Sequence, residues 1–179
     1  MPPLQDDTRP QWFVMRDLKR TNAKIPAYKF LKSKGMEVFT PLKRHMNKKK
    51  EWEDTPLIHG LLFVHESREK LNLVVDKLPT LQYRYLPRKF HEPMVVPDAD
   101  MERFIHAVTV TDAPKYYLPE EITSSMYNQK IRIMGGPLDG YEGFLLTVRG
   151  SRVRRLLVEL PSFMFVGVEV NPDYIQLLK

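Results

Sequence analysis

The stretch from Ile131 to Arg149, IRIMGGPLDGYEGFLLTVR, decides how the rest of the chain is read. An apolar alternation at Ile131 and Ile133 runs into Gly135-Gly136-Pro137. A turn follows at Asp139-Gly140, and after Gly143 a second apolar run extends from Phe144 to Val148. Glycines and a proline between two β-prone runs predict a hairpin, with glycine where the backbone needs positive φ or close approach. Gly135 and Gly140 also occupy the two glycine positions of a phosphate-binding loop. That motif requires Lys-Ser/Thr next and a helix whose N-terminus faces the phosphate. Tyr141-Glu142 and a strand-like run follow instead, which argues against nucleotide binding.

Downstream, β-prone runs at 130–134, 143–149, 153–160, 163–170 and 174–178 are separated by breaks such as Pro161-Ser162 and Asn171-Pro172. Short strands at this density predict a small SH3-like β-barrel over residues 128–179. Upstream, residues 109–127 carry two prolines, clustered Thr and Ser, adjacent Glu120-Glu121 and no sustained period, and read as an interdomain linker.

The N-terminal half has a different grammar. Residues 1–10 read as a loose tail, and Trp12 to Met15 as a buried strand. Pro26 opens a helix with Ile25, Tyr28 and Leu31 inward, and Gly35 stops it. Met36 to Leu42 follows as a strand, then Lys43 to Glu53 (KRHMNKKKEWE) as a long polar hairpin loop. Leu57 to Val64 is a second strong strand. Ser67 caps a helix with Leu71, Val74, Val75 and Leu78 on its inner face. Leu81 to Leu86 alternates as a strand. Pro93 to Pro97 leads into a third helix with Asp98, Asp100 and Glu102 at its N-terminal end and Met101, Phe104, Ile105 and Val108 inward. This order predicts an α+β domain over residues 11–108, a ferredoxin-like antiparallel sheet with helices on it.

Composition narrows the function. The chain has 179 residues, 42% hydrophobic and 28% charged, as in an ordinary globular protein. It holds no cysteine, which removes disulfides, thiolate metal sites and cysteine nucleophiles. No apolar run is long enough to span a membrane, and MPPLQDDTRP lacks a signal pattern. A cytoplasmic monomer without membrane attachment is expected. The five histidines are scattered without ligand spacing, and no nucleophile elbow occurs. No enzyme activity, metal or cofactor is expected. The net charge of +6 is uneven: residues 1–50 hold 13 Lys/Arg against 4 Asp/Glu, residues 51–127 hold 8 against 13, and residues 128–179 hold 7 against 5. The basic excess is N-terminal, where it suits a polyanionic partner.

Gly136-Pro137 and Gly140-Tyr141-Glu142-Gly143 resemble the KOW motif of bacterial NusG-type transcription factors and several ribosomal proteins. Trp12-Phe13-Val14 resembles the Trp-Tyr-Val opening of the NusG N-terminal (NGN) domain. The stretch Ile58 to Val64, IHGLLFV, resembles its Phe-Pro-Gly-Tyr-Val-Leu-Val strand, with Gly60 and Val64 retained. The resemblance covers about residues 11–179 and looks closest to UpxY-type antiterminators of specialised operons.

It implies a transcription elongation and antitermination factor that grips RNA polymerase at the clamp helices through an apolar strip, here Ile58, Leu61 and Phe63 with Tyr83 or Tyr85. His59 and Leu61 depart from the family's proline and tyrosine. It also implies a contact with the opposite pincer at Arg68 to Asn72. Arg16, Lys19, Arg20 and Lys24, with Lys43, Arg44, Lys48, Lys49 and Lys50, are the candidates for non-template or upstream DNA. His45 and Trp52 are placed to stack on unpaired bases. The ribosome and Rho are the candidate partners of the KOW domain, and the sequence leaves open whether it meets Rho, the ribosome or neither. The competing reading is a KOW-type RNA- or ribosome-binding protein acting in translation.

Overall fold

A computed structural model describes residues 6–20, 23–146 and 150–179. The described residues form a mixed α/β fold with three α-helices and several antiparallel sheets, and the chain divides into two compact units, Met1–Asp98 and Ala99–Lys179. Among the described residues no helix is long and apolar enough to cross a membrane.

The first unit runs β1 (Gln11–Asp17), α1 (Ala27–Ser33), β2 (Glu37–Phe39), β3 (Leu42–Met46), β4 (Trp52–Pro56), β5 (Leu61–Glu66), α2 (Arg68–Val75), β6 (Leu81–Tyr83) and β7 (Val95–Val96). Its main sheet is ordered β2-β5-β1-β6, with β7 also pairing β1. The long β1–β5 ladder, from Gln11↔Glu66 to Arg16↔Leu61, joins the two strongest apolar runs in the sequence. Phe13, Met15, Leu62, Val64 and Tyr83 pack with Ala27, Tyr28 and Leu31 of α1 and Leu71 of α2. The alternate residues Trp12, Val14, Leu61 and Phe63 are buried as well. Both central strands are therefore sealed on both faces, which is why they read as continuous apolar runs. Ser67 caps α2 by accepting from the Lys70 N–H, and Gly35, at φ +80°, follows α1.

Lys43 to Glu53 is more ordered than its polarity predicts. β3 and β4 pair from Leu42↔Pro56 to Met46↔Trp52 as a separate two-stranded sheet. Asn47 forms its tip, its side-chain carbonyl accepting from the Lys49 and Glu51 N–H groups. A hairpin exposed on both faces has no apolar alternation to betray it.

The second unit begins with most of α3 (Asp98–Thr109), so residues 99–108, read from sequence as part of the first domain, group with the second. It continues with β8 (Lys115–Tyr117), β9 (Tyr127–Ile133), β10 (Glu142–Leu146), β11 (Arg155–Leu160), β12 (Met164–Glu169) and β13 (Ile175–Leu177). These make one antiparallel sheet ordered β13-β9-β10-β11-β12-β8. β8 lies inside the segment expected to be a linker. Its flanking Pro114 and Pro119 bound the strand without interrupting it, and Tyr117 is buried with Leu146 and Leu157. β9 and β10 form the hairpin expected around Gly135-Gly136-Pro137. The end of the second apolar run, residues 147–149, lies outside the described residues. Gly143 is required by packing, since a Cβ there would sit 2.6 Å from the Leu157 carbonyl oxygen.

Candidate partner and nucleic-acid interface

The expected apolar strip is mostly closed in this structure. Leu61 is 5% exposed and Phe63 0%. Tyr83 is buried too, and its hydroxyl donates to the Asn72 side-chain oxygen at 2.8 Å. Burial pushes the Tyr83 phenol well above its ordinary range. Ile58 and Arg68 are half-buried, while Asn72 and Tyr85 are exposed. Arg68, at the start of α2, lies 3.4 Å from the Asp7 carboxylate. Three of the seven expected positions are thus closed to a partner: Leu61 and Phe63 because the apolar run of β5 is buried on both faces, and Tyr83 because it lies on the inward face of β6, whose Gln82 is exposed. Gly60 holds the turn beside Ile58: its φ is +74°, and a Cβ would fall 2.5 Å from the Asp17 carbonyl oxygen.

The expected nucleic-acid residues fall into three places. Asp17 organises the first. Its carboxylate accepts from the Lys19 N–H at 2.9 Å and the Ala27 N–H at 2.7 Å, tying the end of β1 to the start of α1. The Lys19 ammonium donates to the Ile25 carbonyl at 3.0 Å, so its charge stays beside the loop. Lys19 and Arg20 line a cavity with Lys29 and with Glu53 and Asp54 of β4. That cavity is a mixed-charge site. Lys24 is exposed on the same connection.

Arg16 lies apart from them, lining a second cavity with Ile58, His59 and Arg84. The third place is the β3–β4 hairpin. Arg44 sits 3.8 Å from Asp54 and over the Trp52 ring at 5.9 Å, while Lys43, Lys48, Lys49 and Lys50 are exposed on the hairpin and its tip. Trp52 is 64% exposed, so its indole is open to a stacking partner. The acidic residues of β4 offset part of this charge, an antiparallel pairing that a linear count of lysines does not reveal.

In the second unit the Gly-Tyr-Glu-Gly hairpin holds α3. The Tyr141 hydroxyl donates to the Arg103 carbonyl at 3.0 Å, and the Arg103 guanidinium lies 5.2 Å from the Tyr141 ring centre and donates to the Glu142 carbonyl. His106 Nε2 meets the Pro137 carbonyl oxygen at 2.9 Å. Gly136, at φ +71°, lies against the Tyr174 ring, and Gly140, at φ +80°, closes the turn through its N–H to the Ile133 carbonyl.

Arg132 donates to the Glu142 carboxylate and holds its pKa below the ordinary 4.5. A carboxylate with a lowered folded pKa stabilises the fold above its unfolded value, and that contribution disappears as pH falls through the folded value. The melting temperature of the wild-type protein is therefore expected to drop more steeply below about pH 4.5 than that of Glu142→Gln. Parallel pH slopes in the two melting series would show that the ion pair contributes nothing.

One exposed group was not singled out from sequence. In the loop between Tyr85 and Pro93, Phe90 is 93% exposed and packs edge-to-face on His91 at 4.2 Å. Its signal was present as a proline-bounded Pro-Arg-Lys-Phe-His run, an aromatic among cations with no periodicity to assign it to a core.

A family model described as transcription termination factor nusG matches residues 10–105. A solved structure titled "Domain interaction in Thermotoga maritima NusG" is similar at a TM-score of 0.52 and 12% sequence identity, covering 97% of this chain and 99% of that chain. At that identity the likeness concerns the fold. No curated protein matches the sequence.

Proposed function

Because the chain belongs to the NusG family of non-enzymatic transcription elongation and antitermination factors, we propose that it binds RNA polymerase and suppresses pausing or termination on particular operons, as UpxY-type members do. The observation that carries this reading is the family match across the first unit. The sheet order β2-β5-β1-β6 with α1 and α2 packed on one face supports the finer assignment of the first unit as a ferredoxin-like NGN domain, expected from sequence over residues 11–108. Five short antiparallel strands, β9 to β13, support an SH3-like KOW barrel over residues 128–179, with β8 added to the sheet from the preceding segment.

Family members interact with RNA polymerase, and here Ile58, Asn72 and Tyr85 are the expected contacts that reach the surface, with Arg68 at the edge. Buried Tyr83 holds that surface through its hydroxyl on Asn72 and its ring beside Tyr85. Binding one conformation of the polymerase clamp more tightly than the other would shift it away from the pause-prone state without chemistry. The KOW barrel would meet the ribosome or Rho away from Tyr141-Glu142, and Phe144, with an exposed ring packed edge-to-face on Tyr127 at 4.8 Å, offers such a surface. Co-purification with RNA polymerase, together with read-through of a terminator in transcription on purified components, tests the reading. Co-sedimentation with ribosomal subunits and no polymerase association would replace it with a role in translation.

Arg16 and Arg20 are the strongest candidates for non-template or upstream DNA, since both are exposed near the end of β1. Reversing Arg16, Lys19 and Arg20 to glutamate is expected to cut DNA-dependent recruitment and to flatten its salt dependence. The double variant at Arg16 and Arg20 separates charge from the structural bond that Lys19 makes to Ile25. Unchanged crosslinking to the non-template strand in both variants would remove these residues from the interface.

A further inference from the structure

We propose that the loop from Tyr85 to Pro93 is a binding site for single-stranded nucleic acid, in which an unpaired base stacks on Phe90 and the flanking phosphates meet Arg88 and Lys89. The loop is a built feature. Tyr85 and Pro93 bridge its base, the Leu86 N–H donates to the Glu92 carbonyl at 2.9 Å, and the Lys89 N–H donates to the Leu86 carbonyl at 3.3 Å. Arg88 and His91 hold positive φ angles of 66° and 48°, which few non-glycine residues adopt. Within this frame four rings descend from surface to core. Phe90 meets His91 edge-on at 4.2 Å, His91 meets Tyr85 at 5.4 Å, and Tyr85 lies 6.3 Å from buried Tyr83. The lower rings brace the upper pair.

An outward phenyl ring that is 93% exposed gains nothing from the core. An open aromatic face beside cations is what an unpaired base with its phosphates requires, because every base has a π-face and the contact tolerates any sequence. Arg88 and Lys89 are exposed. The loop's one carboxylate, Glu92, is paired with Lys89 at 3.1 Å, which leaves the loop with a positive balance. That charge favours a polyanion over an apolar or basic protein surface. The site uses none of the Arg16–Lys24 or β3–β4 candidate residues and requires no polymerase.

The test is fluorescence anisotropy of the full chain with labelled oligo-dT, oligo-U and a duplex of matched length, over about 50 to 200 mM salt. Phe90→Ala is expected to weaken binding to the single strands by roughly 5- to 150-fold. Its melting temperature should stay unchanged, since the ring contributes little to the core. The double variant Arg88→Ser, Lys89→Ser is expected to make the log–log salt slope shallower by about 1.4. Single-strand affinity equal in Phe90→Ala and wild type, or duplex binding as tight as single-strand binding, overturns the proposal. So does a Phe90→Ala variant that loses polymerase while keeping its oligonucleotide affinity, since the loop would then be a protein contact. Polymerase association retained in a variant that loses single strands keeps the two readings distinct.

Discussion

Gly60→Ala is expected to lower the melting temperature of the first unit by roughly 10–25 °C. Two penalties add at this position. The backbone sits at φ +74°, where an L-residue costs about 1–2 kcal/mol. A methyl group would also lie 2.5 Å from the carbonyl oxygen of Asp17, and that atom belongs to the backbone of β1, so it cannot swing away. The strain would spread, because the Asp17 N–H donates to the Gly60 carbonyl at 2.8 Å and the Asp17 carboxylate positions Ala27 at the start of α1. The internal control is Gly35→Ala. That residue is also at positive φ, at +80°, but a Cβ there meets nothing within 4 Å, so only the backbone penalty applies. Equal melting temperatures for the two variants would show that the Gly60–Asp17 contact does not constrain the fold. The retained glycine of the Ile58–Val64 stretch thus has a mechanical reason: it lets the turn that carries Ile58 and His59 pass against the end of β1.

How much of this was legible follows from what each residue type can announce. Continuous apolar runs at Trp12–Met15 and Leu57–Val64, and the Ser67 cap before Leu71, are local signals, and the elements they announce are present, although the second strand starts only at Leu61, after the turn at Gly60. The turn glycines before Tyr141 announce a hairpin in the same way, because positive φ is a local demand. The direction in which a buried strand's residues face partners is not local. Nothing in IHGLLFV distinguishes a strand with one open face from one covered on both, so Leu61 and Phe63 were placed on a surface that the structure closes. The β3–β4 hairpin and β8 escaped for the opposite reason. One has no buried face and the other is too short to show a period. Charge was legible as a count but not as a place. Arg44 and His45 are paired across a ladder with Asp54 and Glu53, and Arg16 faces a different cavity from Arg20.

That closure makes Phe63 and Ile58 separable by experiment. Phe63→Ala is expected to destabilise the protein by about 3–5 kcal/mol, the cost of truncating a fully buried phenylalanine and leaving a cavity at the middle of the β1–β5 ladder. Phe63 pairs with Val14 on one side and with Phe39 of β2 on the other, so the loss falls where three strands meet. Any fall in polymerase association in this variant should therefore follow the unfolded fraction and be restored by cooling or a stabilising osmolyte. Ile58→Ala removes a half-buried side chain that lines a cavity with Arg16, His59 and Arg84, so it should lower the melting temperature far less than Phe63→Ala. If Ile58 is a point of contact, its truncation weakens polymerase binding without altering the folded fraction, and cooling does not rescue it. Denaturant titration of both variants beside a polymerase pull-down decides the matter. A stable Phe63→Ala that no longer binds polymerase would mean that this strand opens its apolar face to the enzyme. A destabilised Phe63→Ala that binds normally once folded would confine Phe63 to the core and leave Ile58 to carry the contact.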